Sequence, residues 1–163
     1  MTTNTRTEKT LPSWLNLWTI SIVLVVIGLL ISGYLSYTKL TDTETVCLEG
    51  GEFDCDLVNN SKYAEIMGIP ITYLGFATYV FIGALLFLEN RIGFLEENGI
   101  LLLFGITLFA FIYSMYLVYL QGEVLGAWCQ WCLGHEATMT VLFFVTVVRE
   151  YQLFTLPEVE PAG

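Results

Sequence analysis

The chain has 163 residues, 55% of them hydrophobic and 13% charged, with a mean hydropathy of +0.67. Soluble domains carry about 25% charged residues, so a soluble globular fold is disfavoured. Lys and Arg number 6 against 16 Asp and Glu, a net charge of −10, which argues against nucleic acid or anionic headgroups as electrostatic partners. The apolar residues gather in four long runs instead of recurring at a core-forming period, the pattern of a small polytopic membrane protein.

Leu11 to Thr38 contains no charged residue and centres on Ile20, Ile22, Val23, Leu24, Val25, Val26 and Ile27. About 20 such residues cross the hydrocarbon core as a helix, which satisfies its own backbone polar groups there. Arg6 and Lys9 precede this run as they would in a secretory leader, but its length and the lack of a small-x-small site predict that it is retained. The second uncharged run, Ile66 to Leu88, opens on Gly68-Ile69-Pro70, and proline suits a first helical turn, so helix two is expected to start near Ile69. The third, Asn98 to Gly122, also spans. The fourth, Ala127 to Val148, is interrupted by Glu136 about one turn inside its outer boundary and is still read as a span.

The expected fold is an all-α integral membrane protein: a four-transmembrane-helix bundle with a short interfacial helix in the first outer loop. The spans are placed at about 14–37, 69–88, 100–120 and 129–149 within a bundle covering 11–150, flanked by cytoplasmic segments 1–10 and 151–163. The Pro- and Glu-bearing tail from Leu153, with Pro157, Glu158, Glu160 and Pro161, is expected to be disordered. Four spans put both termini and the Glu89–Gly99 loop on one side with Arg6, Lys9, Arg91 and Arg149, and leave Lys39 and Lys62 on the other. The positive-inside rule then makes the termini cytoplasmic. All four cysteines (Cys47, Cys55, Cys129, Cys132) fall on the extracytoplasmic face, where disulfides persist.

Cys129-Gln130-Trp131-Cys132 is a CxxC where the fourth helix begins. A helix N-terminus stabilises an anion, which favours Cys132 as the more activated thiol. Cys47 and Cys55 form a second pair in the 39–67 outer loop, where Gly50 and Gly51 let the chain turn and are expected to leave the pair free to swing. Two pairs on one face suggest a relay in which an outside thiol protein reduces the loop pair and a loop cysteine attacks the CxxC disulfide. Electrons leaving a CxxC at the membrane border would reach a lipid-dissolved quinone, which the aromatic residues Tyr73, Phe76, Phe109, Tyr113 and Tyr116 could enclose, although such residues on helix three more often face lipid or pack. Two purely structural disulfides are the plainer alternative, although a CxxC closes too small a loop to stabilise much. A four-thiolate zinc site fits less well, because the Cys47 to Cys55 spacing is too wide for a second knuckle; no metal is expected.

His135 and Glu136 follow Cys132 by about one turn and are candidates to deliver the two protons that quinone reduction consumes, or Glu136 simply points to water. The segment Asn59 to Met67 begins with capping residues and alternates polar with apolar, so it is expected to form the interfacial helix and lie over the bundle mouth as a lid. Ser61 offers a hydroxyl to the quinone or a cysteine, or caps that helix.

With these residues in view, the chain resembles the vitamin K epoxide reductase family, in the prokaryotic form without a fused thioredoxin-like domain. The carriers are the split pair Cys47 and Cys55, the stretch through Ser61-Lys62-Tyr63 to Gly68-Ile69-Pro70 and Gly75, and Trp128-Cys129-Gln130-Trp131-Cys132-Leu133. In the DsbB type of disulfide-forming enzyme the CxxC comes first and the split pair second; here the order is reversed. The resemblance implies a four-helix bundle around a quinone of the ubiquinone or menaquinone type and a thioredoxin-fold partner. It also implies roles: Cys47 receives the partner's electrons, Cys55 attacks Cys129, and Cys132 contacts the quinone. Ser61 matches a loop Ser or Thr of prokaryotic members. Vertebrate members carry a quinone-bonding tyrosine where this chain has Glu136, which favours plain quinone reduction over vitamin K epoxide as substrate. The expected function is thus a membrane quinone-dependent thiol-disulfide oxidoreductase; an epoxide reductase of the vertebrate type and a non-enzymatic scaffold are the alternatives.

Overall fold

A computed structural model describes residues 13–48, 51–89, 91 and 93–155. Arg6, Lys9, Gly50 and the tail residues Pro157, Glu158, Glu160 and Pro161 lie outside them. In chain order the elements are α1 (Ser13–Thr41), α2 (Cys55–Asn59), β1 (Glu65–Ile66), β2 (Ile69–Pro70), α3 (Ile71–Leu88), α4 (Gly93–Tyr119), a π-helical turn (Leu120–Leu125) and α5 (Gln130–Thr155). Among the described residues four stretches are long and apolar enough to cross a membrane: Leu17–Thr41, Ile71–Leu88, Asn98–Leu125 and Gln130–Gln152. The protein is an all-α four-helix membrane bundle.

α1 packs on α3 and α5, and α5 packs on α4. Lipid tails are as apolar as leucine, so such helices associate through close packing and satisfied polar groups. Val25, Tyr79, Ile82, Leu86, Leu103, Met139 and Leu142 form the buried centre. Buried hydroxyls between the helices need no outside partner: Ser32 donates to the Gly28 carbonyl at 2.6 Å, Thr107 to Leu103 at 2.9 Å and Thr146 to Leu142 at 2.9 Å. Each is thereby satisfied one turn back along its own helix. Val23, Leu30, Phe109 and Ile112 are exposed on the outside of the bundle, the surface that faces acyl chains. At the end away from the cysteines, Arg149 donates to both carboxylate oxygens of Glu89, at 2.9 and 3.1 Å, and ties α5 to the end of α3.

The helices outrun the apolar stretches that mark them. α1 continues past Lys39 to Thr41, α4 begins at Gly93 inside the expected Glu89–Gly99 loop, and α5 runs to Thr155, into the tail expected to be disordered. Charge bars a residue from the hydrocarbon core, not from a helix that projects into the headgroup zone. Pro70 is the N-cap of α3 instead of a first-turn residue, because its extended backbone (ψ 133°) still pairs with Glu65 across the hairpin.

The outer loop holds a short helix, but not the one expected. α2 spans Cys55–Asn59 and is capped by Asp54, whose carboxylate accepts the Leu57 N–H at 2.8 Å. Asn59, expected to start a helix, ends this one. The Lys62–Met67 stretch is turn and hairpin: β1 and β2 pair antiparallel around Met67 and Gly68, whose φ values are 53° and 82°. A cap at Asp54 outcompetes the weaker signal at Asn59 and Asn60 because Asp54 reaches a free helical amide. The expected Gln121–Trp128 loop is likewise shortened, since the π-helical turn carries the third span to Leu125. Gly126 stops it in the left-handed region (φ 61°), which glycine enters without steric penalty.

Candidate active site

Cys47 and Cys55 are joined in a disulfide, while Cys129 and Cys132 are free thiols. Both pairs share one cluster, in which Cys55 (1% exposed), Val58, Ala127 and Cys129 (0% exposed) are buried with Cys47, Trp131 and Cys132 packed against them. The loop is held there from both arms. On one side Phe53 bridges Trp128, the Asp54 N–H donates to the Trp128 carbonyl at 3.0 Å and the Trp128 N–H to the Glu52 carbonyl at 2.8 Å. On the other, the strand-like segment carrying Cys47 is bound by the residues inside the CxxC. Gln130 Oε1 accepts the Leu48 N–H at 3.1 Å, and Gln130 Nε2 and Trp131 Nε1 both donate to the Val46 carbonyl, at 3.3 and 2.6 Å. Tyr34, whose hydroxyl accepts the Val46 N–H at 3.0 Å, packs its ring tilted against Trp131, with centroids 4.7 Å apart. The freely swinging loop expected from Gly50 and Gly51 is thus docked, because its peptide groups find partners in these side chains.

Helix α5 starts one residue later than the CxxC, which decides the polarity of the pair. Cys129 sits at the helix entrance, and its sulfur accepts the Cys132 backbone N–H at 3.2 Å as an N-cap side chain does. A hydrogen bond from the Cys132 side chain, reinforced by the backbone N–H groups of Cys132 and Trp131, holds the Cys129 thiol below the ordinary cysteine range against the opposing effect of burial. Cys129, not Cys132, therefore receives the helix N-terminus. Its own backbone N–H is taken by Gln121 Oε1 at 3.0 Å, from a buried side chain on the π-helical turn.

Beside Cys132 a cavity of about 620 Å³, measured out to its open mouth, lies between the loop and the helices. Its lining includes Ser61, His135 and Glu136, and also Asn59, Tyr63 and Gln121. Tyr73 and Tyr113 are not among the lining residues, nor are Phe76, Phe109 and Tyr116. Phe76, Phe109 and Tyr116 are exposed on the bundle surface, so their place is with lipid. Ser61 caps the end of α2, donating to the Val58 carbonyl at 2.9 Å, while it also faces the cavity. Glu136 does not reach water: it is 4% exposed, its Oε1 lies 3.5 Å from His135 Nδ1, and its Oε2 is buried without a hydrogen-bond partner among the described residues. His135 stands edge-on to Tyr79 at 5.3 Å, and a Cβ at Gly75 would come within 2.9 Å of its Nε2, so only glycine leaves room for the ring.

Asn59, Gln121 and Gln130 escaped the sequence reading. Asn59 had a usable signal, being four residues after Cys55 and so on the same helical face. Gln121 had a fainter one, an amide at the outer end of an apolar run. No group of three or more His, Cys, Asp and Glu that could hold a metal ion occurs among the described residues.

A four-helix membrane bundle with one disulfide docked on a CxxC beside a cavity defines a thiol-disulfide redox protein by its class of site. The chain belongs to the vitamin K epoxide reductase family, which it matches over residues 19–147. It is also similar to "Thiol-disulfide oxidoreductase LTO1" of Arabidopsis thaliana, with 36% identity over 121 residues, covering 71% of this chain and 32% of that protein. The chain spans about a third of that relative's length. Membership and relative together support an oxidoreductase function for the cysteine pairs.

Proposed function

We propose that the protein oxidises a thioredoxin-fold partner through Cys47 and Cys55, relays the electrons to Cys129 and Cys132, and reduces a membrane quinone, so generating protein disulfides. The observation that carries this reading is the packing of Cys55 against the Cys129 region, both sulfur-bearing residues being buried, with Cys132 opening on the cavity. Cys47 is the less buried end of the loop disulfide, and so the sulfur a partner's thiolate attacks; Cys55 leaves as the thiolate. After the partner departs oxidised, Cys55 attacks Cys129 of the CxxC disulfide and expels Cys132. Cys47 then displaces Cys129, restoring the loop disulfide and leaving two thiols. The arrangement with Cys47 bonded to Cys55 and the other two free corresponds to that stage.

In the last step the Cys129 and Cys132 thiols give up two electrons and two protons, their S–S bond forms, and a quinone becomes a hydroquinone. Glu136 and His135 are placed to pass those protons, and Ser61 to meet the ring's edge. The cysteines face the extracytoplasmic side and both termini the cytoplasm, in keeping with the basic residues and with the redox compartment. A quinone of the ubiquinone or menaquinone type suits the site better than an epoxide, since Glu136 stands where vertebrate members carry tyrosine.

The test mixes the purified full chain with reduced thioredoxin and a short-chain quinone. Quinone reduction that disappears in Cys132→Ala supports the proposal. Turnover of vitamin K epoxide without quinone reduction would replace it with the vertebrate-type activity, and a folded protein that transfers no electrons would replace it with a scaffold.

A further inference from the structure

Three buried polar atoms of residues on the cavity wall have no hydrogen-bond partner among the described residues, Asn59 Nδ2, Thr72 Oγ1 and Glu136 Oε2, and of these Nδ2 is the amide donor. The other end of the Asn59 amide takes the Cys132 S–H whenever that proton is not given to Cys129, Oδ1 lying 3.7 Å from the Cys132 sulfur. The amide is also fixed in place from behind. Lys39 Nζ donates to the Asn59 backbone carbonyl at 3.3 Å and to Asn60 Oδ1 at 2.9 Å, so the end of α2 is tied to α1. A donor left unsatisfied in so enclosed a position marks a place where a ligand's acceptor belongs.

We propose that Asn59 is a quinone-binding residue: its amide holds the Cys132 thiol through Oδ1 and offers Nδ2 to a carbonyl oxygen of the acceptor, setting sulfur and carbonyl side by side. This deepens the proposed function and rests on it. A quinone presents only acceptors at its two carbonyl oxygens, which matches a free amide donor. The hydroquinone presents hydroxyl donors, which match Glu136 Oε2. Asn59 enters neither the electron nor the proton count. The two thiols supply both, as written above, while the Nδ2 donor stabilises the negative charge that grows on oxygen as the sulfur delivers its electrons.

The test uses the full chain, reduced thioredoxin and a short-chain naphthoquinone, with Asn59→Leu and Asn59→Asp. Leucine keeps the shape and removes both contacts; aspartate keeps an acceptor for Cys132 and removes the donor. Both variants are expected to raise the KM for the naphthoquinone by about tenfold, equivalent to ~1.4 kcal/mol, with an unchanged KM for thioredoxin. Single-turnover oxidation of thioredoxin by the fully oxidised protein, with no quinone present, is expected to match the unsubstituted chain. Should Asn59→Leu fail to fold, Asn59→Asp alone decides. An unchanged naphthoquinone KM beside normal turnover of the unsubstituted chain overturns this inference alone, as does an equal rise in both KM values. An unsubstituted chain that reduces no quinone overturns the proposed function and this inference together.

Discussion

Gln130 pairs with the backbone on both sides of Cys47 as the peptide of a neighbouring strand would, accepting from Leu48 and donating to Val46. The residues between the two CxxC cysteines therefore do more than space them: they hold the segment carrying Cys47 beside the CxxC. Gln130→Leu removes two hydrogen bonds, each of net value ~0.5–1.5 kcal/mol, and frees one arm of the loop. Stopped-flow transfer of electrons from reduced thioredoxin to Cys129 and Cys132 is expected to slow about three- to tenfold, while reoxidation of those two thiols by quinone keeps its rate.

Cys129 is held below the usual cysteine range first of all by the Cys132 side chain. Its thiolate thus forms at lower pH than an ordinary cysteine's, and removing that donor shifts the titration upward. In Cys132→Ala the ultraviolet thiolate absorbance is expected to appear at higher pH than in Cys132→Ser, whose hydroxyl still donates. Cys47 and Cys55 are bonded to each other and do not contribute.

Glu136 is the buried carboxylate nearest the chemistry, and a positioned acid or base contributes typically ~100-fold or more. Glu136→Ala is expected to lower kcat for quinone reduction about a hundredfold with an unchanged KM for thioredoxin. Equal losses in the quinone and thiol steps would assign it a structural role.

A methyl group at Gly75 meets His135 Nε2 at 2.9 Å and has to displace the ring, which also packs on Tyr79. Overpacking of this kind costs about 1–3 kcal/mol. Gly75→Ala is expected to lower the thermal unfolding temperature in detergent and to raise the KM for quinone.

The membrane spans were legible because an uncharged apolar run long enough to cross the bilayer has few other uses. Their ends were not, since Lys39 is tolerated in a helix once it clears the hydrocarbon. The grouping of the four cysteines into two pairs was legible from type and spacing, but the polarity of the CxxC was not: it depends on whether α5 begins at Cys129 or at Gln130, a one-residue difference that hydrophobicity does not record. The docking of the loop was hidden for a similar reason. Gln130 and Trp131 act through single side-chain bonds to Val46 and Leu48, more than eighty positions away, and neither periodicity nor composition registers such contacts. The aromatic residues of the third span could not be sorted individually, because Phe109 and Tyr116 are as useful against lipid as around a ligand.

The relay stands or falls on whether Cys55 and Cys129 exchange directly. In the doubly substituted protein Cys47→Ala/Cys132→Ala only these two cysteines remain, and mild oxidation followed by mass spectrometry of the digested chain reads out their bond. The account predicts near-complete Cys55–Cys129 disulfide within one protein chain. Two thiols that stay reduced under those conditions, or that pair only between separate chains, would contradict it.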